Sequence, residues 1–337
     1  MFTEGLSAAG TIVAPTPNVI TKTDLQRAVR TYELEYRVRG TVTLAGGPAT
    51  AILNGGSILA AFLRLGTDEN GTRWIDVDPL LAYIYHQMMT QQDTAKNRVR
   101  LTNPANGAYD LEESVFLPFA GVGTAVPSET LYLERDARKN FSAFVTQGPV
   151  SVVGTLVQTP GTAVLSNVSV TVTQRYDTDR SDGTILLPSM RQEEKQITGV
   201  STEFPFKLES EKYLQGLIVQ QWTTGAGEVS DIINSLALRA DGWDGIGPSL
   251  VGYEELQARA QLEFSGSVVE RGNLPIWFRK GGRLSNVLNP NALANLRLLL
   301  NCQPSATVGA GTSIVRVCYL ELERVPGLTA ATVPYQI

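Results

Sequence analysis

The chain has 337 residues, of which 43% are apolar and only 18% charged, and its formal net charge is −5. That length exceeds most single cores and suits two domains. The small acidic excess argues against nucleic-acid binding by the folded body, and a surface so poor in charge is one that neighbours cover. No run approaches the ~18 apolar residues that a membrane-spanning helix needs, and the N-terminus lacks the basic start and apolar core of a secretory signal. Cys302 and Cys318 both sit in apolar runs, which predicts buried thiols rather than a disulfide or a metal set.

Residues 1–23 contain Gly, Ala, Thr and two close prolines, Pro15 and Pro17. They read as an extended N-terminal arm, either a disordered end or a segment that orders against a neighbouring subunit. The first half follows, over residues 24–177. Tyr32–Arg39 alternates apolar and charged as a half-buried strand does, Gly40–Leu44 is a further extended piece, and Gly46-Gly47-Pro48 breaks it. Ile58–Leu65 is apolar and runs into Gly66–Gly71, dense in turn residues. Asp78-Pro79 opens a helix in which Leu80, Tyr83, Ile84 and Met88 share a face. A polar loop, 102–113, leads to a strand at Val115–Phe119. Pro127-Ser128-Glu129 opens a second helix, and Phe141–Gln147 is the strand after it. Val150–Val157 and Val168–Thr173 are further strands, the latter cleanly alternating.

Residues 178–196 are polar, with Gly183 and Pro188, and are the best linker candidate. The second half, 197–325, repeats the order of the first. Phe204–Leu208 answers the Tyr36 strand, Gly216–Thr223 answers Gly40–Leu44, and Ile233–Arg239 answers Ile58–Arg64. Tyr253–Ala260 answers the helix beginning at Leu80, and Ile314–Leu322 answers Val168–Tyr176. The clearest unit of the repeat is Asn273–Cys302. It begins with the strand Leu274–Phe278 and turns at Gly281-Gly282. A helix opened by Asn289-Pro290 follows, then an apolar strand at Leu296–Cys302. Phe116–Gln147 is its cruder first copy. Residues 326–337 form a C-terminal tail.

Each half thus holds roughly eight short strands and few helices. A βαβ protein would need a helix between nearly every pair of strands, so the pattern is that of a sandwich. The fold class is all-β: two tandem eight-stranded jelly-roll sandwiches, a double jelly roll, with a few short helices. On these paired units and the closing strands, the chain resembles the double jelly-roll major capsid proteins of tailless, icosahedral, internal-membrane-containing bacteriophages, the tectivirus and adenovirus hexon lineage. The resemblance covers about residues 24–325. It implies a homotrimer of pseudo-hexagonal outline and neighbouring trimers packed into an icosahedral shell. It also implies contacts with penton or minor capsid proteins, and an internal membrane met through the N-terminal arm. The expected place is the virion, after synthesis in the host cytoplasm.

Catalytic alternatives find little in the sequence. His86 is the only histidine, and it lies mid-helix, where it reads as a structural or a surface helix residue; a cupin-type metal site needs several imidazoles, and a Ser-His or Cys-His arrangement would have to use this one. The acidic turns at Asp68–Gly71 and Asp241–Gly245 lack the ligand ladder of a calcium loop. The pairs Glu112-Glu113, Glu193-Glu194 and Glu254-Glu255 are adjacent residues, two of them in expected loops, and nothing sets them across a cleft as glycoside hydrolysis requires. Gly225-Ala226-Gly227 and Gly309-Ala310-Gly311 lack a phosphate-loop lysine and are loop tips. Arg279, Lys280 and Arg283 suit a subunit contact or a solvated turn. No residue is therefore assigned to catalysis, a cofactor or a metal, and no direct contact with nucleic acid is expected. The expected function is structural, a major capsid protein. The rival is a tandem β-sandwich that binds or cleaves carbohydrate, whose signature would be exposed tryptophan: Trp222 and Trp277 sit in strands, while Trp74 and Trp243 lie beside turns.

Overall fold

The computed structural model describes residues 5–13, 19–25, 30–47, 52–90, 99–119, 133–134, 141–153, 156–157, 161–177, 186–208, 211–225, 227–244, 251–263, 272–278, 287–307 and 309–324. The chain divides into two compact units, with the boundary between Met190 and Arg191.

The first unit contains, in order, β1 (Gly5–Val13), β2 (Ile20–Asp24), β3 (Arg30–Ala45), β4 (Ile52–Asn54), α1 (Gly55–Ala60), β5 (Leu63–Glu69), β6 (Thr72–Val77), α2 (Pro79–Thr90), β7 (Arg100–Thr102), β8 (Gly107–Pro118), β9 (Leu133–Glu134), β10 (Phe141–Gln147), β11 (Ser151–Val153) and β12 (Thr162–Asp177). One sheet runs β1-β12-β3-β8 and the other β2-β10-β5-β6, while β9, β11 and the β4–β7 ribbon are accessory. Numbered in chain order, the eight principal strands lie 1-8-3-6 and 2-7-4-5, all antiparallel. That order defines a jelly roll.

The long strand β3 is the clearest case of pattern making structure. Its even positions Leu34, Tyr36, Val38, Val42 and Leu44 are buried, while Arg37, Arg39 and Thr43 face water. On β12 the buried set shifts from odd (Ala163, Leu165) to even (Val168, Val170, Val172). The shift falls where the β3 register breaks between Ser166 and Ser169, and Asn167 takes a left-handed φ of 53° there. The bulge presses on Gly40 of β3: a Cβ at that position would lie 3.2 Å from the Ser166 carbonyl oxygen. Tyr32–Arg39 and Gly40–Leu44, expected as two pieces, are therefore one continuous strand, because Gly40 accommodates a neighbour rather than a break.

The second unit contains β13 (Leu186–Ile197), whose first residues precede the boundary, then β14 (Ser201–Lys207), β15 (Tyr213–Thr223), β16 (Gly227–Glu228), β17 (Ile233–Ala240), β18 (Trp243–Asp244), β19 (Val251–Gly252), α3 (Tyr253–Glu263), β20 (Asn273–Trp277), β21 (Arg297–Cys302) and β22 (Ser313–Arg324). Its sheets run β13-β22-β15, with β16 and β20 also pairing β15, and β14-β21-β17, with β18 and β19 both pairing β17. This is the first unit's order again, with β18 and β19 sharing the place of β6. Leu298, Leu300, Leu236, Leu238, Phe206 and Leu217 are buried in its core.

Several expectations are corrected. The described part of residues 1–23 is not an arm: β1 pairs with β12 and β2 with β10, as the first two strands of the sandwich. Residues 186–196, read as the end of a linker, form β13; its charged side chains are matched on β22, so polarity there marks a paired edge and not a solvated connection. The repeat shifts accordingly. β14 answers β2, and β15 answers all of β3. Ile58 lies in α1, and it is β5, starting at Leu63, that β17 answers. Gly66 is inside β5, and the polar loop expected at 102–113 is β8 from Gly107 onward. The helix expected after Asn289 is a single 3-10 turn, Pro290–Ala292. Asn289 does cap it, accepting from the Asn291 amide at 3.1 Å, but the Leu296 carbonyl already accepts from Leu208 N at 3.0 Å, which requires extended chain there. The helix expected after Pro127, the first part of the linker and the C-terminal tail lie outside the described residues.

Candidate functional site

The candidate chemical residues are held in structural roles. α2 starts as expected: the Asp78 carboxylate accepts from Leu81 N at 2.8 Å and Pro79 takes the first position. Its residues from Leu80 to Met89, Tyr83 excepted, are buried, so it is an internal helix and not an amphipathic surface one. His86 is buried within it, its Nε2 3.7 Å from a Glu33 oxygen and its ring 5.3 Å from that of Phe116. The same carboxylate meets Arg175 at 2.8 Å. This pair, with a buried carboxylate and a half-buried guanidinium, spans the register neighbours Glu33 of β3 and Arg175 of β12.

The aspartates of the two acidic turns are held by protein partners. Asp68 Oδ1 accepts from Gly71 N at 3.0 Å and pairs with Lys22 at 2.6 Å, beneath a β5–β6 hairpin with left-handed Asn70 and Gly71. Asp241 Oδ2 accepts from Asn295 Nδ2 at 2.5 Å. Glu112 and Glu113 are successive residues of β8 and point to opposite faces. Glu113 is buried and accepts from Val99 N at 2.7 Å; Glu112 is on the outer face, where bonds from Arg37 and Arg39 hold its carboxyl below the usual range. Glu254 and Glu255 stand in the first turn of α3, where the helix dipole favours them. Gly225 and Gly309 are loop residues pressed together, a Cβ on Gly225 falling 2.0 Å from the Gly309 oxygen. Cys302 and Cys318 are both buried and in no disulfide, and burial pushes the Cys302 thiol pKa up. Arg279, Lys280 and Arg283 lie outside the described residues. Among the described residues no group of three His, Cys, Asp or Glu side chains could hold a metal ion, and no helix is long and apolar enough to cross a membrane.

The described tryptophan side chains give the carbohydrate reading no exposed platform. Trp74 is half-buried, donates to Glu69 at 3.1 Å and packs edge-on to Phe141. Trp277 is buried; Trp222 is half-buried with Arg316 over its ring at 5.7 Å. The Trp243 side chain lies outside the described residues.

What the surface does present is ordered, polar sheet face and edge. Across β3 and β8, Arg37 and Arg39 share Glu112, Thr41 donates to Asp110 at 3.2 Å, and Ser114 to Glu35 at 2.8 Å. Arg39, Thr41, Asp110 and Glu112, with Val99 and Asn167, line an open depression of about 500 Å³. In the second unit, exposed Arg191 meets buried Glu321 at 3.4 Å and lies over the buried Tyr319 ring at 3.9 Å, Tyr319 donates to Glu193 at 2.7 Å, and Arg316 pairs with exposed Glu194 at 2.6 Å. Sequence reading missed this ladder. The signal available was the charge complementarity between Arg191–Lys195 and Arg316–Glu323, visible only once the two segments are known to be neighbours.

No protein-family model matches the chain, and no curated protein matches it. Solved structures do. The major capsid protein P2 from bacteriophage PM2 superposes with a TM-score of 0.58 at 10% identity, over 97% of this chain and 100% of that one. A chain in the atomic structure of Sulfolobus Turreted Icosahedral Virus gives 0.64 at 14% identity, over 95% and 90%. PBCV-1 VP54, fitted into a reconstruction of the virophage Sputnik, gives 0.63 at 11% identity, over 98% of each. The likeness spans both units end to end, and at these identities it is a likeness of fold: the chain is a double jelly roll.

Proposed function

We propose that this chain is a major capsid protein, a structural subunit without catalysis, which trimerises into pseudo-hexagonal capsomers that tile an icosahedral virion. One observation carries the reading: both units have the 1-8-3-6 and 2-7-4-5 strand order, and the pair is matched end to end by viral major capsid proteins. Single jelly rolls serve many functions, and fold alone does not define one. Two in tandem match only this use among the structures reported above. The placement of the sole histidine in a packed helix and the absence of an exposed described tryptophan support the structural role over the carbohydrate rival.

The partners are first of all other copies of the same chain, then penton or minor capsid proteins. A membrane contact through the N-terminal arm loses its support, because Gly5–Val13 and Ile20–Asp24 belong to the sheets. The formal net charge of −5 favours no direct contact with nucleic acid.

Light scattering after size exclusion, with electron microscopy of the same fractions, tests the proposal. The expected result is a particle of about three times the 36.4 kDa chain mass, or larger shells built from it, because closed symmetric assembly multiplies modest contacts. A strict monomer at every concentration would sink it, and binding to glycans by that monomer would establish the rival.

A further inference from the structure

The sequence contains three Asn-Gly pairs, at 54–55, 70–71 and 106–107. Asparagine followed by glycine can cyclise, since no Cβ on the second residue hinders its backbone nitrogen. At Asn54, the Gly55 nitrogen donates to the Val99 carbonyl at 2.9 Å, and a Cβ placed on Gly55 would overlap the Glu113 carboxylate. At Asn70, the Gly71 nitrogen donates to Asp68 Oδ1 at 3.0 Å. In both, the attacking nitrogen is tied down. At Asn106, where Gly107 opens β8 opposite Leu44 of β3, the side-chain carbonyl oxygen accepts from Gly46 N at 3.0 Å and from Gly47 N at 2.9 Å. Asn106 is exposed, and the space around the missing Cβ of Gly107 is open.

We propose that Asn106–Gly107 is a self-modification site, primed by the fold to convert through a succinimide to aspartate and isoaspartate. The Gly107 backbone nitrogen loses its proton to hydroxide and attacks Cγ of Asn106. Negative charge gathers on Oδ1, where the Gly46 and Gly47 amides form a two-donor oxyanion hole. Preorganised donors aimed at developing charge are among the largest contributions to acyl-transfer rates. The C–Nδ2 bond breaks and the nitrogen leaves as ammonia. One water then opens the ring at either carbonyl. The sum is asparagine plus water giving aspartate or isoaspartate plus ammonia. Each event adds one negative charge, and the isoaspartate product adds a carbon to the main chain at the start of β8.

Incubation of the full chain in mildly alkaline buffer, folded and in parallel unfolded in urea, tests this by peptide mass spectrometry with isoaspartyl methylation as a second readout. In urea the three pairs react alike. In the folded chain Asn106 reacts first and faster than its own unfolded rate, by about tenfold for a modest fraction of enzymic oxyanion-hole effects, while Asn54 and Asn70 fall below theirs. A folded rate at Asn106 equal to or slower than the unfolded rate overturns the proposal, as does earlier conversion of Asn54 or Asn70.

Discussion

Gly66 is the residue on which two strands of the first sandwich meet most closely. A Cβ there would sit 1.9 Å from the Ile75 carbonyl oxygen on β6, and the Gly66 carbonyl itself accepts from the buried Tyr36 hydroxyl at 2.6 Å. Backbone cannot yield as a flexible side chain can. Gly66→Ala is expected to destabilise the chain by about 3 kcal/mol or more, at the upper end of single substitutions, read as a lower denaturant midpoint; an unchanged midpoint would refute the close approach. Asp231 offers a pH test. Burial raises its pKa, but bonds from Ser305 Oγ at 2.7 Å and Ala306 N at 2.9 Å outweigh that and leave the carboxyl below its usual range. A depressed folded pKa contributes stability above the unfolded value of about 3.9, and that contribution is lost as pH falls through the folded value. Wild type should therefore exceed Asp231→Asn in stability near neutrality, with the gap closing on acidification below about pH 4. A gap independent of pH would assign the effect to something other than ionisation.

At the scale of elements, legibility followed the source of each element's stability. α2 could be read because its start is local chemistry, Asp78 capping and Pro79 beginning the helix. The alternation of β3 and β12 could be read because one face of each is buried. β1 and β13 could not. β1 is a Gly-, Ala- and Ser-containing strand placed by backbone pairing with β12, and β13 is held by charged partners on β22. Neither leaves an apolar period in the sequence. The Asn289 cap was also legible, but distant pairing limited what followed it to one turn. The status of β1 has a direct test. Deleting residues 1–13 from a mere arm would leave the sandwich unchanged. Deleting them from a strand strips one edge of β12 and exposes unpaired amides and carbonyls, the condition for edge-to-edge aggregation. Loss of soluble protein and a lowered unfolding midpoint are expected; a soluble truncation with the full-length midpoint would restore the arm.

At the scale of the whole chain, the duplication was legible because element order survives where residue identity does not. Helices fall before β8 and before β20 in both copies, and the strand pairs β8–β10 and β20–β21 recur. The pairing of earlier strands slipped by one because the first two strands of the chain had been set aside as an arm. The candidate surface was hardly legible at all, since a face such as Arg37, Arg39 and Glu112 joins residues more than seventy positions apart. The same topology governs the order of events during synthesis. Gly5 pairs with Tyr176, so β1 waits for the last strand of its sandwich. Until Asp177 has left the ribosome, β3 has β8 on one side and nothing on the other. The first sandwich then closes in one late step, and β13, next out, begins the same wait for β22.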